Sequence, residues 1–262
     1  MDVDQILLLT AIAFAAGFVD AIAGGGGLIT LPALLLAGIP PVSAIATNKV
    51  QAAAATISAA VTFSRKGLIK WQTGRWLAAT SVTGGAVGAL LVHQLDQTWL
   101  QGGVPIALVF VGMYFALAPK PLPDNHNQRL TVEKFAFTIA PLLGAYDGFF
   151  GPGVGSFFMM GFIAICGLGF VEAMGFTKLS NASSNIGAVC VFVVSGAVIW
   201  PLALMMALAA FAGAQGGARI AVRVGPTLIK PMIVLVCIAL AAKLLSDASN
   251  PWHRILSIVL KF

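Results

Sequence analysis

The sequence predicts an all-α fold: a polytopic transmembrane helix bundle made of two inverted repeats, each with a broken or re-entrant glycine-containing hairpin plus three long helices. Three observations predict it: apolar runs of membrane length, a likeness between the two halves, and an exchange of loop charges between them. Of 262 residues, 59% are hydrophobic and 9% charged, with mean hydropathy +0.95, whereas about a quarter of a soluble domain is charged. Lipid is therefore the expected solvent. The runs 42–63, 76–93, 104–117, 173–194, 201–218 and 231–245 each approach the ~20 residues that cross a hydrocarbon core. Helices follow, because lipid leaves no backbone partner outside the segment.

Taken in order, the chain opens on Asp2 and Asp4 with no early Lys or Arg, unlike a cleavable signal peptide. Segments 5–23 and 28–36 form a hairpin broken at Gly24-Gly25-Gly26-Gly27, and long helices follow at 42–63, 76–93 and 98–117. Residues 119–133 are polar and link this half to a second hairpin, 135–151 with 154–168, broken at Gly151-Pro152-Gly153-Val154-Gly155. The second half then repeats the long helices. The expected units are a first repeat 5–118, a cytoplasmic linker 119–133, a second repeat 134–246 and a short external tail 247–262.

Self-comparison supports this division. Gly17, Asp20 and Gly24 match Gly144, Asp147 and Gly151 at an offset of 127 residues. Beyond the hairpins the offset becomes 129, pairing Lys49 with Lys178, Trp71 with Trp200, and Gly84 and Gly88 with Gly213 and Gly217. Loop charges set the relative orientation. Arg65, Lys66, Lys70 and Arg75 follow the first long helix, while the matching stretch 194–200 is uncharged; at the next loop 93–98 has only Asp96, whereas its counterpart has Arg219, Arg223 and Lys230. Basic loops stay cytoplasmic, so the copies run in opposite senses, with the linker inside and both termini outside.

Buried charges are expensive and mark functional sites by default. Within the runs these are Asp20, Lys49, Asp147, Lys178 and, nearer an end, Lys243. The two glycine runs break the hairpins where a ligand or another backbone can come close, and each precedes a helix whose free N–H groups suit an anion. Lys49 and Lys178, the backbone at Gly25, Gly26, Gly27, Gly153, Gly155 and Ser156, and the polar side chains of Thr47, Asn48, Gln51, Asn181, Ser184 and Asn185 form the candidate substrate site. Asp20 and Asp147 are candidates for coupling or charge balance, with structural capping the competing role. Each lysine has a competing role too, in an ion pair or snorkelling to the interface. Gly84/Gly88 and Gly213/Gly217 have small-xxx-small spacing and read as packing.

Other chemistry finds little support. Cys166, Cys190 and Cys237 sit singly in apolar runs and read as small core residues; His93, His126 and His253 fall in or beside loops. No metal spacing, nucleophile elbow or phosphate loop is present, so neither an enzyme nor a cofactor is expected. The basic residues are dispersed, which favours membrane topology over nucleic-acid binding.

Gly17 to Leu28, Ala46-Thr47-Asn48-Lys49, Tyr146-Asp147-Gly148-Phe149-Phe150-Gly151-Pro152-Gly153 and Lys178 to Asn185 together resemble the TauE/SafE family of sulfite exporters and sulfonate-related anion transporters, in its YfcA-like branch. The resemblance covers nearly the whole chain. It implies a multi-pass bacterial inner-membrane protein exporting sulfite, sulfoacetate or a related organosulfur anion. The residues themselves support a transporter of a small organic anion, and leave open a passive channel, a sulfur-free carboxylate, a coupling proton or sodium ion, and self-assembly.

Overall fold

The computed structural model describes residues 1–95, 99–100, 103, 106–107, 110–111, 113 and 128–224. The expected run 231–245, the tail, Cys237, Lys243 and most of the segments 98–117 and 119–133 lie outside the described residues.

Every regular element among the described residues is helical. Helix α1, Val3–Ala23, ends where Gly24 takes a left-handed conformation at φ 76° and returns its N–H to Asp20 O at 2.8 Å, the standard glycine stop. Helix α2, Gly27–Leu36, has ten residues and rises only ~15 Å, about half of a hydrocarbon core. Helices α3, Pro41–Arg65, and α4, Trp71–His93, complete the described long helices of this half.

In the second half the first limb is two pieces. Helix α5, Val132–Thr138, is capped by the Thr131 hydroxyl, and α6, Ala140–Phe149, resumes after Ile139. Pro141 explains the interruption, since it has no N–H for the carbonyl one turn back. Helix α7, Val154–Met160, runs into a π-helical turn, Gly161–Ile165, where a single expected helix, 154–168, loosens and ends. Helices α8, Phe170–Val194, and α9, Trp200–Val224, follow. Helix α4 starts five residues before its expected boundary, because its first turn, Trp71-Gln72-Thr73-Gly74-Arg75, is polar or aromatic interface sequence that hydropathy does not count.

Helices α1, α4 and α9 are long and apolar enough to cross a membrane. Leu7, Leu8, Phe14, Leu142, Leu204 and Leu208 are exposed on the outer helices, an apolar surface that suits lipid. The 25-residue α3 and α8 are at least as long but bury a polar stripe at the centre. They run in opposite directions. At one end Lys70, just beyond α3, reaches Glu172 at the start of α8 at 2.7 Å; at the other the Ile199 N–H, beyond α8, donates to Thr47 at the start of α3 at 3.2 Å.

Around this pair the halves exchange partners: α1 packs mainly on α9 and α6 on α4, while α9 also packs on α3 and α4 on α8. The equivalent interfaces use equivalent contacts. A Cβ at Gly84 would fall 2.3 Å from Pro141 O and one at Gly88 2.0 Å from Ala145 O; at Gly213 and Gly217 it would fall 2.0 Å from Phe14 O and 2.3 Å from Phe18 O. These glycines let backbones touch, the packing role that their spacing predicts. Cys166 is buried as expected, but Cys190 is exposed on the outer face of α8, because its position falls opposite the polar stripe.

Valine at Gly88 or Gly217 forces the helices apart and costs about 1–3 kcal/mol or more. The detergent-solubilised protein then melts several degrees lower on a ~2–4 °C per kcal/mol scale, whereas Gly169→Ala, with open space around it, leaves the melting temperature near that of the wild type.

Candidate functional site

Helix α3 places Lys49 and α8 places Lys178 inside the bundle, 1% and 2% exposed. Each finds a carboxylate from the opposite half. Lys49 Nζ lies 2.6 Å from Asp147 Oδ1, and Lys178 Nζ lies 3.0 Å from Asp20 Oδ2. Two charges buried in a membrane persist only when paired and hydrogen-bonded, and the remaining oxygens are also engaged. Asp147 Oδ2 accepts from the Ser184 hydroxyl, and Asp20 Oδ1 accepts the Gly26 N–H at 3.1 Å. Lys178 also donates to the Asp20 carbonyl, the last acceptor of α1, where a cation meets the negative end of the helix dipole.

The glycine breaks bring these pairs together. A Cβ at Gly24 would lie 2.7 Å from Gly155 C, and one at Gly155 would lie 2.7 Å from Gly24 Cα, so the two hairpins cross in direct backbone contact. Gly151, at φ 96°, leaves room for Lys49, whose Nζ would stand 2.5 Å from an added Cβ. Tyr146 fixes this break by donating its hydroxyl to Pro152 O at 2.7 Å.

Beside the crossing is a small cavity, with ≈ 20 Å³ open to the centre of a water molecule, about what one or two waters require. Its walls include Asp20, Asp147, Lys49, Asn48, Asn181 and Asn185, with backbone at Gly24, Gly27, Gly151 and Gly153. The other expected site residues are placed around it. Ser184 orients Asp147, and Gly26 binds Asp20. Gly155 forms the crossing, and Ser156 begins the following turn with its N–H on Gly153 O. Lys178 is joined to the wall through Asp20. Thr47 and Gln51 are buried but not on the wall: the Thr47 hydroxyl serves the Ile199 N–H, and Gln51 Oε1 has no partner among the described residues.

Beyond the glycine-break positions Gly24, Gly151 and Val154, sequence reasoning passed over two wall residues, Ala52 and Thr56. They follow Lys49 at helical spacings of three and seven, and at the 129-residue offset they match Asn181 and Asn185. Helical periodicity and the repeat together could have found them. The two sides of the cavity are thus equivalent in position and unequal in chemistry. Among the described residues no group of three or more His, Cys, Asp or Glu could hold a metal ion.

The family model for sulfite exporter TauE/SafE matches residues 9–244. The chain belongs to the TauE/SafE family. It is a membrane transporter of that family. This TauE/SafE protein is 43% identical over 246 residues to "Probable membrane transporter protein ORF9" of Sinorhizobium sp, covering 94% of each chain. It is 41% identical over 241 residues to "Probable membrane transporter protein YfcA" of Escherichia coli K12, covering 92% of this chain and 90% of that one. A "Probable membrane transporter protein" of Haemophilus influenzae is 36% identical over 245 residues, 94% of this chain and 96% of its own. No solved structure matches the chain.

The crossed pairing has a measurable signature. Lys49→Met alone leaves Asp147 buried without its partner and costs about 3–5 kcal/mol. Adding Asp147→Leu restores most of that loss, whereas adding Asp20→Leu does not. Thermal unfolding of the two double variants in detergent reads the difference, and equal recovery by both would refute the assignment.

Proposed function

We propose that this protein is a secondary transporter that exports a small organic anion, a sulfonate or sulfite such as sulfoacetate, across a bacterial inner membrane. The anion binds between two inverted repeats, 5–118 and 134–246, at Lys49 and Lys178, with glycine-break backbone and the side chains of Asn48, Asn181 and Asn185 completing the site. One observation carries this reading: both buried lysines are held by carboxylates at the crossing of two broken hairpins. An incoming sulfonate or carboxylate offers the same oxygen acceptors to a lysine that Asp20 and Asp147 offer. The sulfur comes from the family description, sulfite exporter TauE/SafE.

Exchange of acceptors also suggests a cycle. An anion that takes Lys49 from Asp147 strands a buried carboxylate, which then takes up a proton or a sodium ion; the same holds for Lys178 and Asp20. The wall cavity is too small for an organic anion of five or more heavy atoms, so the hairpins move apart to admit it, as in other transporters with broken helices. The antiparallel α3 and α8 and the exchanged partners of the halves support inversion. Inversion in turn makes the inner and outer paths alike. The basic loops 64–70 and 128–134 then face the cytoplasm, the N- and C-termini face outward, and 119–133 links the repeats inside.

Two measurements test this reading. Sulfoacetate, sulfite, isethionate, thiosulfate or succinate added to purified protein raises its melting temperature, and Lys49→Gln or Lys178→Gln abolishes the rise. An undiminished rise in both variants would refute the lysine site, and saturable counterflow in liposomes, without single-channel current, separates a transporter from a channel. In intact cells an impermeant maleimide labels Ser195→Cys and not Lys66→Cys; labelling of both positions, or the reverse pattern, would refute the orientation.

A further inference from the structure

We infer that Asn185 makes the site selective for anions that also carry a hydrogen-bond donor, a hydroxyl or an N–H group, beside the negative charge. The inference rests on the anion-binding reading of the same cavity and narrows it, favouring a hydroxylated or amine-bearing sulfonate such as isethionate over sulfoacetate, which has no donor when ionised. Asn185 is 1% exposed and lies on the cavity wall. Its amide cannot be turned at will. Nδ2 donates to Asn181 O at 2.7 Å and to Asn181 Oδ1 at 2.8 Å, and a backbone carbonyl only accepts, so the nitrogen end of the amide is fixed there. The oxygen is left as the other end of the side chain. Asn185 Oδ1 is buried and has no partner among the described residues, a condition that costs free energy until a donor arrives.

The opposite wall does not share this demand. Its equivalent positions are Ala52, which has no polar side-chain atom, and Thr56, whose hydroxyl is turned back to Ala52 O at 2.7 Å. The amide on that side, Asn48, already accepts the Thr30 hydroxyl at its Oδ1, so the unpartnered amide acceptor on the wall is that of Asn185. Lys49, on the α3 side with Ala52 and Thr56, holds the negative group, and the acceptor at Asn185 takes a donor from elsewhere on the same small molecule. A ligand that replaces the donor by a methyl group seals Oδ1 away from any partner. A site built to receive a hydroxyl discriminates strongly against such an analogue.

The test uses two isosteric pairs, isethionate against 1-propanesulfonate and glycolate against propionate, with affinities measured by calorimetry on the full-length protein in detergent. In the wild type the hydroxylated member of at least one pair binds about tenfold more tightly, and Asn185→Leu brings that ratio to about one. Equal affinities within both pairs in the wild type would overturn the inference and leave the anion site standing, so the result does not depend on the variant folding. A hydroxyl preference that persists in Asn185→Leu would also overturn it. Absence of binding by all four compounds would remove the anion site and this inference together.

Discussion

Everything in the centre of the bundle depends on two lysines having carboxylates to hold. A lysine or an aspartate alone at this depth would carry the full desolvation cost of its charge. Together, Lys49 with Asp147 and Lys178 with Asp20 convert that cost into two contacts that each join one half of the chain to the other. The central helices α3 and α8 can therefore be polar without opening to lipid. The outer helices α1, α4, α6 and α9 isolate them, and their close glycine contacts leave little room for water or lipid to intervene.

In the proposed anion-binding role, the same pairs make the centre responsive. In a core of leucines an arriving anion would find no attraction, and with unpaired lysines the fold would not form. Paired lysines stand between these cases, because the bond that stabilises the resting arrangement is of the same chemical type as the bond to a substrate. The difference between the two arrangements is then small enough for a ligand to reverse, which is the requirement for any population shift.

Much of this was visible in the sequence because membrane insertion makes exceptions conspicuous. Asp20, Lys49, Asp147 and Lys178 stand out among apolar residues, and Gly24 and Gly151 interrupt runs that would otherwise continue. The repeat offset located the equivalent residues. What could not be read was which aspartate each lysine chose, since either pairing satisfies the same composition; the crossing of Gly24 and Gly155 decides it in three dimensions. Thr47 shows the opposite failure. Its place two residues before Lys49 on a polar stretch suggested the site, but helix rotation turns it toward Ile199. The break at Ile139 was missed because hydropathy sees an unbroken apolar limb and Pro141 carries the only warning.

The crossing of the two hairpins reaches beyond binding. Gly24 and Gly155 touch through their backbones, so neither break has side-chain atoms with which to yield, and displacement of one hairpin bears directly on the other. The two halves are therefore geared at a single point. A lesion at Gly24 is felt in the second half of the chain and one at Gly155 in the first.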